Sequence, residues 1–220
     1  MGIGRREFLK LSSLATLGFI INPFEAVVAA DNVYINKKLG VLFHKPDGWG
    51  FVRIKDFGKL KDQQIFGNGI EEMKEEILEE LGDPICIATK YYKDRPELKG
   101  VFSPTISLYI TPKEELESLG HESFEELIKM SENAPQTYLK DFQIVKRYEP
   151  YLISGVTFYE YDTEYSFEHE DISEALKVEL KVLKAEHNGF YYDFNCHQSS
   201  AQNQPAKYEF EAFKNSIKMI

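Results

Sequence analysis

The sequence predicts an α+β fold in which a central, mostly antiparallel sheet carries helices on its faces. Two observations lead there. Strand-like stretches joined by short turns alternate with three amphipathic helical stretches, and residues Ala175 to His197, ALKVELKVLKAEHNGFYYDFNCH, make the longest hairpin signal in the chain.

In the first arm of that hairpin Leu176, Val178, Leu180 and Val182 alternate with Lys177, Glu179 and Lys181, the period of a half-buried strand. In the second arm Phe190, Tyr192, Phe194 and Cys196 share a parity. A two-residue Asn188-Gly189 turn sets Phe194 opposite Leu183 but leaves Leu180 and Val182 facing His197 and Asn195. A three-residue loop, His187 to Gly189 with Gly189 at positive φ, faces Leu180 with Cys196 and Val182 with Phe194. One side is then apolar throughout, so the longer loop is the expectation. The leucines also fit helical spacing, but the Val and aromatic content favours strands.

At 220 residues, 43% hydrophobic and 14% aromatic, the chain has the material for one well-packed domain, expected over residues 31–220. The formal charge is −10. Residues 1–30 hold Arg5, Arg6 and Lys10 against Glu7 and Glu25, a net +1, which leaves −11 on the remainder. Such a surface repels nucleic acid and anionic lipid. Two cysteines, Cys86 and Cys196, are too few for a disulfide scaffold or a zinc knuckle.

Residues 1–30 have a basic start, a short apolar run from Leu11 to Ile21, and small residues at Val28-Ala29-Ala30, the three regions of an export signal. Arg5, Arg6, Phe8, Leu9 and Lys10 resemble the twin-arginine motif, with Gly4 replacing the small polar residue that usually precedes it. The expectation is a signal peptide read by the twin-arginine translocase, cleaved after Ala30, and a periplasmic or exported protein. The apolar run, broken by Asn22 and Pro23, is too short for a stable membrane span. A route that carries folded proteins fits rapid folding or export together with a partner.

Val33 to Ile35, Gly40 to His44 and Phe51 to Ile54 read as strands, with Pro46-Asp47-Gly48 as a turn and Trp49 plugging an edge of the core. A polar stretch from Lys59 leads to a helix capped by Asn68 with Glu71 in the capping-box position. Ile70, Met73, Ile77, Leu78 and Leu81 form its stripe, and Gly82-Asp83-Pro84 stops it. Ile85 to Tyr92 is a strand, as is Thr105 to Thr111, bracketed by Pro104 and Pro112. Ser123 and Glu126 cap a second helix with Phe124, Leu127 and Ile128 inward, and Pro135 starts a turn that brings in Tyr138 and Leu139. Phe142 to Arg147 and Gly155 to Ser166 are strands, and Glu168 to Asp171 is an acidic loop. Pro205 opens a last helix with Phe210, Phe213 and Ile217 inward, running to Ile220. No internal repeat or low-complexity tract interrupts this order.

Taken in sequence, Gly40-x-x-Phe43-x-x-Pro46-x-x-Trp49, Ser103-Pro104 before a strand, Ser123-Phe124-Glu125-Glu126-Leu127 opening a helix, Gly155 entering an aromatic strand, the long hairpin, and a closing helix with Phe213 and Ser216 resemble the PsbP-like superfamily. The resemblance spans nearly all of residues 31–220. It implies an α/β/α sandwich around an antiparallel sheet, and protein binding or assembly without catalysis. The twin-arginine signal and the acidity depart from the photosynthetic members and speak against a photosystem role.

No catalytic set stands out. Phe66-Gly67-Asn68-Gly69 lacks the lysine of a phosphate loop, and there is no Gly-x-Ser-x-Gly elbow, His-Glu-x-x-His pair or Cys-x-x-Cys. His44, His121, His169, His187 and His197 are scattered, and Cys196 and His197, adjacent on a strand, point to opposite faces. Glu168, His169, Glu170 and Asp171 are the best metal candidates, against the plainer reading of a solvated loop. Tyr159, Tyr161, Tyr165, Tyr191 and Tyr192 suggest either a pocket or a half-buried sheet face. Cys86 and Cys196 are either a disulfide or buried free thiols, the latter favoured by folding in the reducing cytosol. The expected function is an exported non-enzymatic binding module without a cofactor, an accessory or assembly subunit with an envelope protein partner. The alternatives are a periplasmic small-ligand or metal carrier and, behind it, an unrecognised hydrolase.

Overall fold

The computed structural model describes residues 27–30, 32–52, 84–91, 101–117, 123–133, 135, 139–168, 174–199, 201 and 206–220. The expected helix from Asn68 to Leu81 and the twin-arginine residues lie outside them. Four strands, β1 (Val27–Ala30), β2 (Val33–Asn36), β3 (Val41–His44) and β12 (Lys218–Met219), form a small sheet in the order β1-β2-β3-β12. The large sheet runs β4 (Gly50–Phe51), β5 (Cys86–Thr89), β6 (Thr105–Pro112), β11 (Phe190–Ser199), β10 (Leu176–His187), β9 (Val156–Phe167), β7 (Lys140–Arg147), with β8 (Tyr151–Ile153) also pairing β9. Every described pair is antiparallel. Among the described residues three helices accompany the sheets: α1 (Lys113–Glu117), α2 (Phe124–Asn133) and α3 (Ala206–Ser216).

The central hairpin forms, but with the shorter loop. Asn188 and Gly189 alone make the turn, both at positive φ (51° and 79°), the backbone of a type I′ hairpin whose twist matches the strands. Leu183 therefore faces Phe194, and Leu180 and Val182 face His197 and Asn195. The expected three-residue loop assumed that only one side of the hairpin is buried. Both sides are. Phe158, Leu183, Phe194, Cys196, Leu108 and Ile106 belong to one buried cluster with Phe210 and Phe213 of α3. On the opposite side Tyr161, Tyr165, Phe167, Val178, Leu180 and Val182 form a second cluster. There α2 lays Phe124 on Tyr191, ring centroids 4.9 Å apart, and sets Ser131 Oγ 3.4 Å from the Tyr161 hydroxyl. With a helix on each face, both strand parities profit from burial, and turn geometry decides the register.

The caps behave as their sequences require. Ser123 Oγ accepts the amide of Glu126 at 3.2 Å, and Leu139 N–H donates to Pro135 O at 2.8 Å. The last helix is shorter than expected: it stops at Ser216, whose hydroxyl donates to the Phe213 carbonyl at 2.6 Å and accepts the His44 amide at 2.9 Å. The chain then continues as β12 against β3. The α1 turn, the β8 strand and β1 have no counterpart in the sequence reading. They are short, and β1 takes the residues just before the expected cleavage point.

Cys86 and Cys196 are both free and buried. They lie on the same face of the sheet, but β6 runs between their strands. Two strand spacings hold their Cα atoms about 10 Å apart, beyond disulfide reach.

Candidate functional site

The first cluster is apolar at one end and charged at the other. On β9 the inward parity of Phe158 continues into Glu160, Asp162 and Glu164; on β10 that of Leu183 continues into Lys181 and Glu179; on β11 that of Cys196 ends at Gln198. Across them lies one stripe of α3, Lys207, Phe210, Glu211 and Lys214, at helical spacing. The result is a cleft of about 380 Å³ between sheet and helix, lined among others by Val145, Tyr148, Gln198 and Phe210.

Glu160, 3% exposed, anchors this charge network. Lys181 donates to its Oε1, Tyr151 to its Oε2 at 2.6 Å, and Lys214 to Oε2 at 3.2 Å. Lys181 also lies 2.9 Å from Asp162 Oδ1 and 3.7 Å from Glu211, while the Tyr148 hydroxyl donates to Asp162 Oδ2 at 2.7 Å. Burial alone pushes the Glu160 carboxyl up, but the hydrogen bonds from Lys181 and Tyr151 and the two lysine charges outweigh it and hold it below its ordinary value. Burial likewise pulls Lys181 down, and its bonds to Glu160 and Asp162 carry it well above the lysine range. Both groups are locked in their charged forms.

At the open end Gln198, 4% exposed, donates through Nε2 to Glu179 Oε2 at 2.7 Å. Its Oε1 is buried without a hydrogen-bond partner. Lys207 reaches Glu179 at 3.4 Å from a side chain 67% exposed.

The sequence-predicted candidates do not converge here. Glu168 pairs with Lys140 at the surface, and His169, Glu170 and Asp171 lie outside the described residues. Among the described residues no group of three or more His, Cys, Asp or Glu is placed to hold a metal ion. The tyrosines divide: Tyr192 is buried in the first cluster and Tyr161 and Tyr165 in the second, while Tyr159 and Tyr191 flank Phe124. They are sheet-face packing, not one pocket. Cys196 and His197 do point to opposite faces: His197 Nδ1 lies 3.2 Å from the Tyr165 hydroxyl. Trp49, 2% exposed, packs edge-on against Phe210. Sequence reasoning missed Glu160 and Lys181 because it placed Lys181 on the solvent side of its strand. The available signal was Glu160 itself, which shares its parity with Phe158.

Fold and site together define an α+β protein with a two-sided sheet and a charged cleft under its last helix. No family model matches the sequence, and no curated protein matches it. Solved structures similar to the chain include cyanobacterial PsbP (CyanoP) from Synechocystis, 13% identical over 88% of this chain and 95% of that one, with a TM-score of 0.47. LpqN, involved in cell envelope biogenesis of Mycobacterium tuberculosis, is 11% identical over 81% of this chain and 82% of that one, with a TM-score of 0.48. Protein PA94 of unknown function from Pseudomonas aeruginosa is 14% identical over 57% and 78%, with a TM-score of 0.40. The α+β assignment rests on the strand pairing itself. No helix among the described residues is long and apolar enough to cross a membrane.

Proposed function

We propose that this protein is an exported, non-enzymatic binding module that serves as an accessory or assembly subunit of a larger envelope complex. The observation behind the binding part is the cleft of about 380 Å³ between sheet and α3, whose Glu160 and Lys181 are committed to each other as an ion pair. A general acid or base works best with a pKa near the operating pH, whereas Glu160 and Lys181 are driven away from neutrality in opposite senses. They hold fixed charges, which suits recognition. The export part is supported by the resemblance of Arg5, Arg6, Phe8, Leu9 and Lys10 to a twin-arginine signal, and the assembly part by the PsbP-like pattern of residues 31–220.

The test is mild crosslinking of tagged full-length protein in its native host, followed by purification from the periplasmic fraction and mass spectrometry. A stoichiometric envelope partner supports the proposal; recovery of the protein alone, or from the cytosol, overturns it. A second reading, a periplasmic small-ligand carrier, is favoured by the open cleft of about 380 Å³.

A further inference from the structure

The cleft under α3 has a feature that its own ion pairs do not account for. Gln198 is almost fully buried, its amide nitrogen is committed to Glu179, and its carbonyl oxygen has no donor. A buried acceptor left without a partner costs on the order of 1–3 kcal/mol, so such atoms commonly mark where a further group belongs. Asp162, by contrast, is met at both oxygens, Lys181 Nζ lying 2.9 Å from Oδ1 and the Tyr148 hydroxyl donating to Oδ2 at 2.7 Å. The unmet atom, Gln198 Oε1, is an acceptor and calls for a donor.

The lining is rich in further acceptors. Asp162, Glu164, Glu179 and Glu211 line it beside Lys181 and Lys207; from its edge Lys177 reaches Glu164 at 2.5 Å and Lys214 reaches Glu211 Oε2 at 2.8 Å, which leaves the second oxygen of each carboxylate for a further donor. Lys181 is held by Glu160, and Lys207, mostly exposed, is free to swing from Glu179 toward solvent. The volume of about 380 Å³ exceeds what one ammonium group fills, and Phe210 and Val145 supply apolar wall.

We propose that this cleft is a binding site for a guanidinium group, with one N–H donating to Gln198 Oε1, others to the Glu179 and Glu211 carboxylates, and an attached alkyl chain lying against Phe210. A planar cation with five donors in a fixed fork satisfies convergent acceptors that a single ammonium cannot all reach. The inference deepens the binding-module reading and rests on it for its biological use. The site itself is testable on the purified protein, whatever partner the native host supplies.

The experiment is calorimetric titration of the full-length protein with agmatine, and in a parallel arm with an acetylated and amidated Gly-Arg-Gly peptide. The Gln198 side-chain amide is followed by NMR in both. Saturable binding with movement of the Gln198 signals is expected, with affinity at least tenfold lower in Gln198→Leu. Glu211→Gln, whose carboxylate is at the surface end of the site, serves as a second variant should the first misfold, and also weakens binding. Tighter binding of agmatine assigns the site to a free solute; tighter binding of the peptide assigns it to an arginine of a partner protein. No saturable heat in either arm overturns the proposal. So does equal binding of butylamine, or binding of glycerol or glucose in place of the guanidinium probes. Because no partner capture is involved, loss of the accessory-subunit reading leaves this result readable.

Discussion

The indole N–H of Trp49 donates to Glu209 Oε1 at 3.0 Å, and the other oxygen of that carboxylate accepts from Lys90 at 2.9 Å. One carboxylate on α3 thus ties the end of the β3–β4 turn to Lys90, the residue that follows β5. Trp49 is the single tryptophan of the chain, so its fluorescence reports this junction. Trp49→Phe keeps ring packing against Phe210 but leaves the carboxylate one donor short, an expected loss of about 1–2 kcal/mol. Trp49→Ala also opens a cavity and is expected to cost about 3–5 kcal/mol. Urea unfolding followed by circular dichroism distinguishes them; a Trp49→Phe variant as stable as the parent would mean the hydrogen bond contributes nothing, and equal losses in the two variants would mean the ring packing against Phe210 contributes nothing.

Glu160 is expected to be the most sensitive charged position of the sheet. Glu160→Ala removes the buried carboxylate shared by Lys181, Lys214 and Tyr151; Lys181 keeps Asp162 and Lys214 keeps Glu211, so the expected loss is about 3 kcal/mol, the low end for breaking a buried pair. The double replacement Glu160→Leu with Lys181→Met removes both charges and should recover part of that loss. If the double variant is as unstable as the sum of the singles, the two residues are not coupled.

The same pair fixes a pH window. Glu160 is held below its ordinary 4.5, so its contribution is present above 4.5 and lost as pH falls through the lower folded value. Lys181 is raised above 10.5, so its contribution is present below 10.5 and lost as pH rises through the higher folded value. Between those limits the pair's contribution should be flat, and in the Glu160→Leu, Lys181→Met variant both outer losses should shrink.

His197 works in the opposite sense to a salt-bridged histidine. Burial lowers its pKa from 6.5 to about 4, so the unfolded chain binds the proton more tightly. Stability is fully present above pH 6.5 and falls progressively between pH 6.5 and about 4. His197→Gln should flatten that segment of the stability profile. An unchanged slope would show that another group carries it.

Gly40 sits at φ +69°, and a Cβ there would lie 2.6 Å from the Ile220 carbonyl oxygen and 2.8 Å from Asn188 Nδ2. The Ile220 amide also donates to the Gly40 carbonyl at 2.8 Å, so the turn and the chain end hold each other. Gly40→Ala combines left-handed backbone strain of about 1–2 kcal/mol with a clash against backbone. Thermal unfolding should show a loss well above that of Gly155→Ala, where nothing lies within 4 Å.

The cysteines supply a kinetic check. Cys86 and Cys196 are 9% and 1% exposed, and burial pushes both thiols above their ordinary range. A thiol reagent should label neither in the folded protein and both in urea. Fast labelling of either would place it at the surface.

By itself the sequence determined what depends on near neighbours. Strand alternation, the Ser123 cap, the Pro-bracketed strand from Thr105 and the inward Phe210 and Phe213 of the last helix are all local, because steric and hydrogen-bonding preferences act within a few residues. The antiparallel α+β class followed from short turns between such strands. Only the tertiary structure decided the hairpin register: with apolar residues at both parities, periodicity could not choose, and the choice fell to the Asn188-Gly189 turn and to helices covering both faces. It also decided the site. Glu160, Lys181, Gln198 and Glu211 come from three strands and a helix, and read singly each resembles a solvated charge or amide. Their meaning as a cleft arises from burial and mutual distance, which the separate stretches of sequence do not contain.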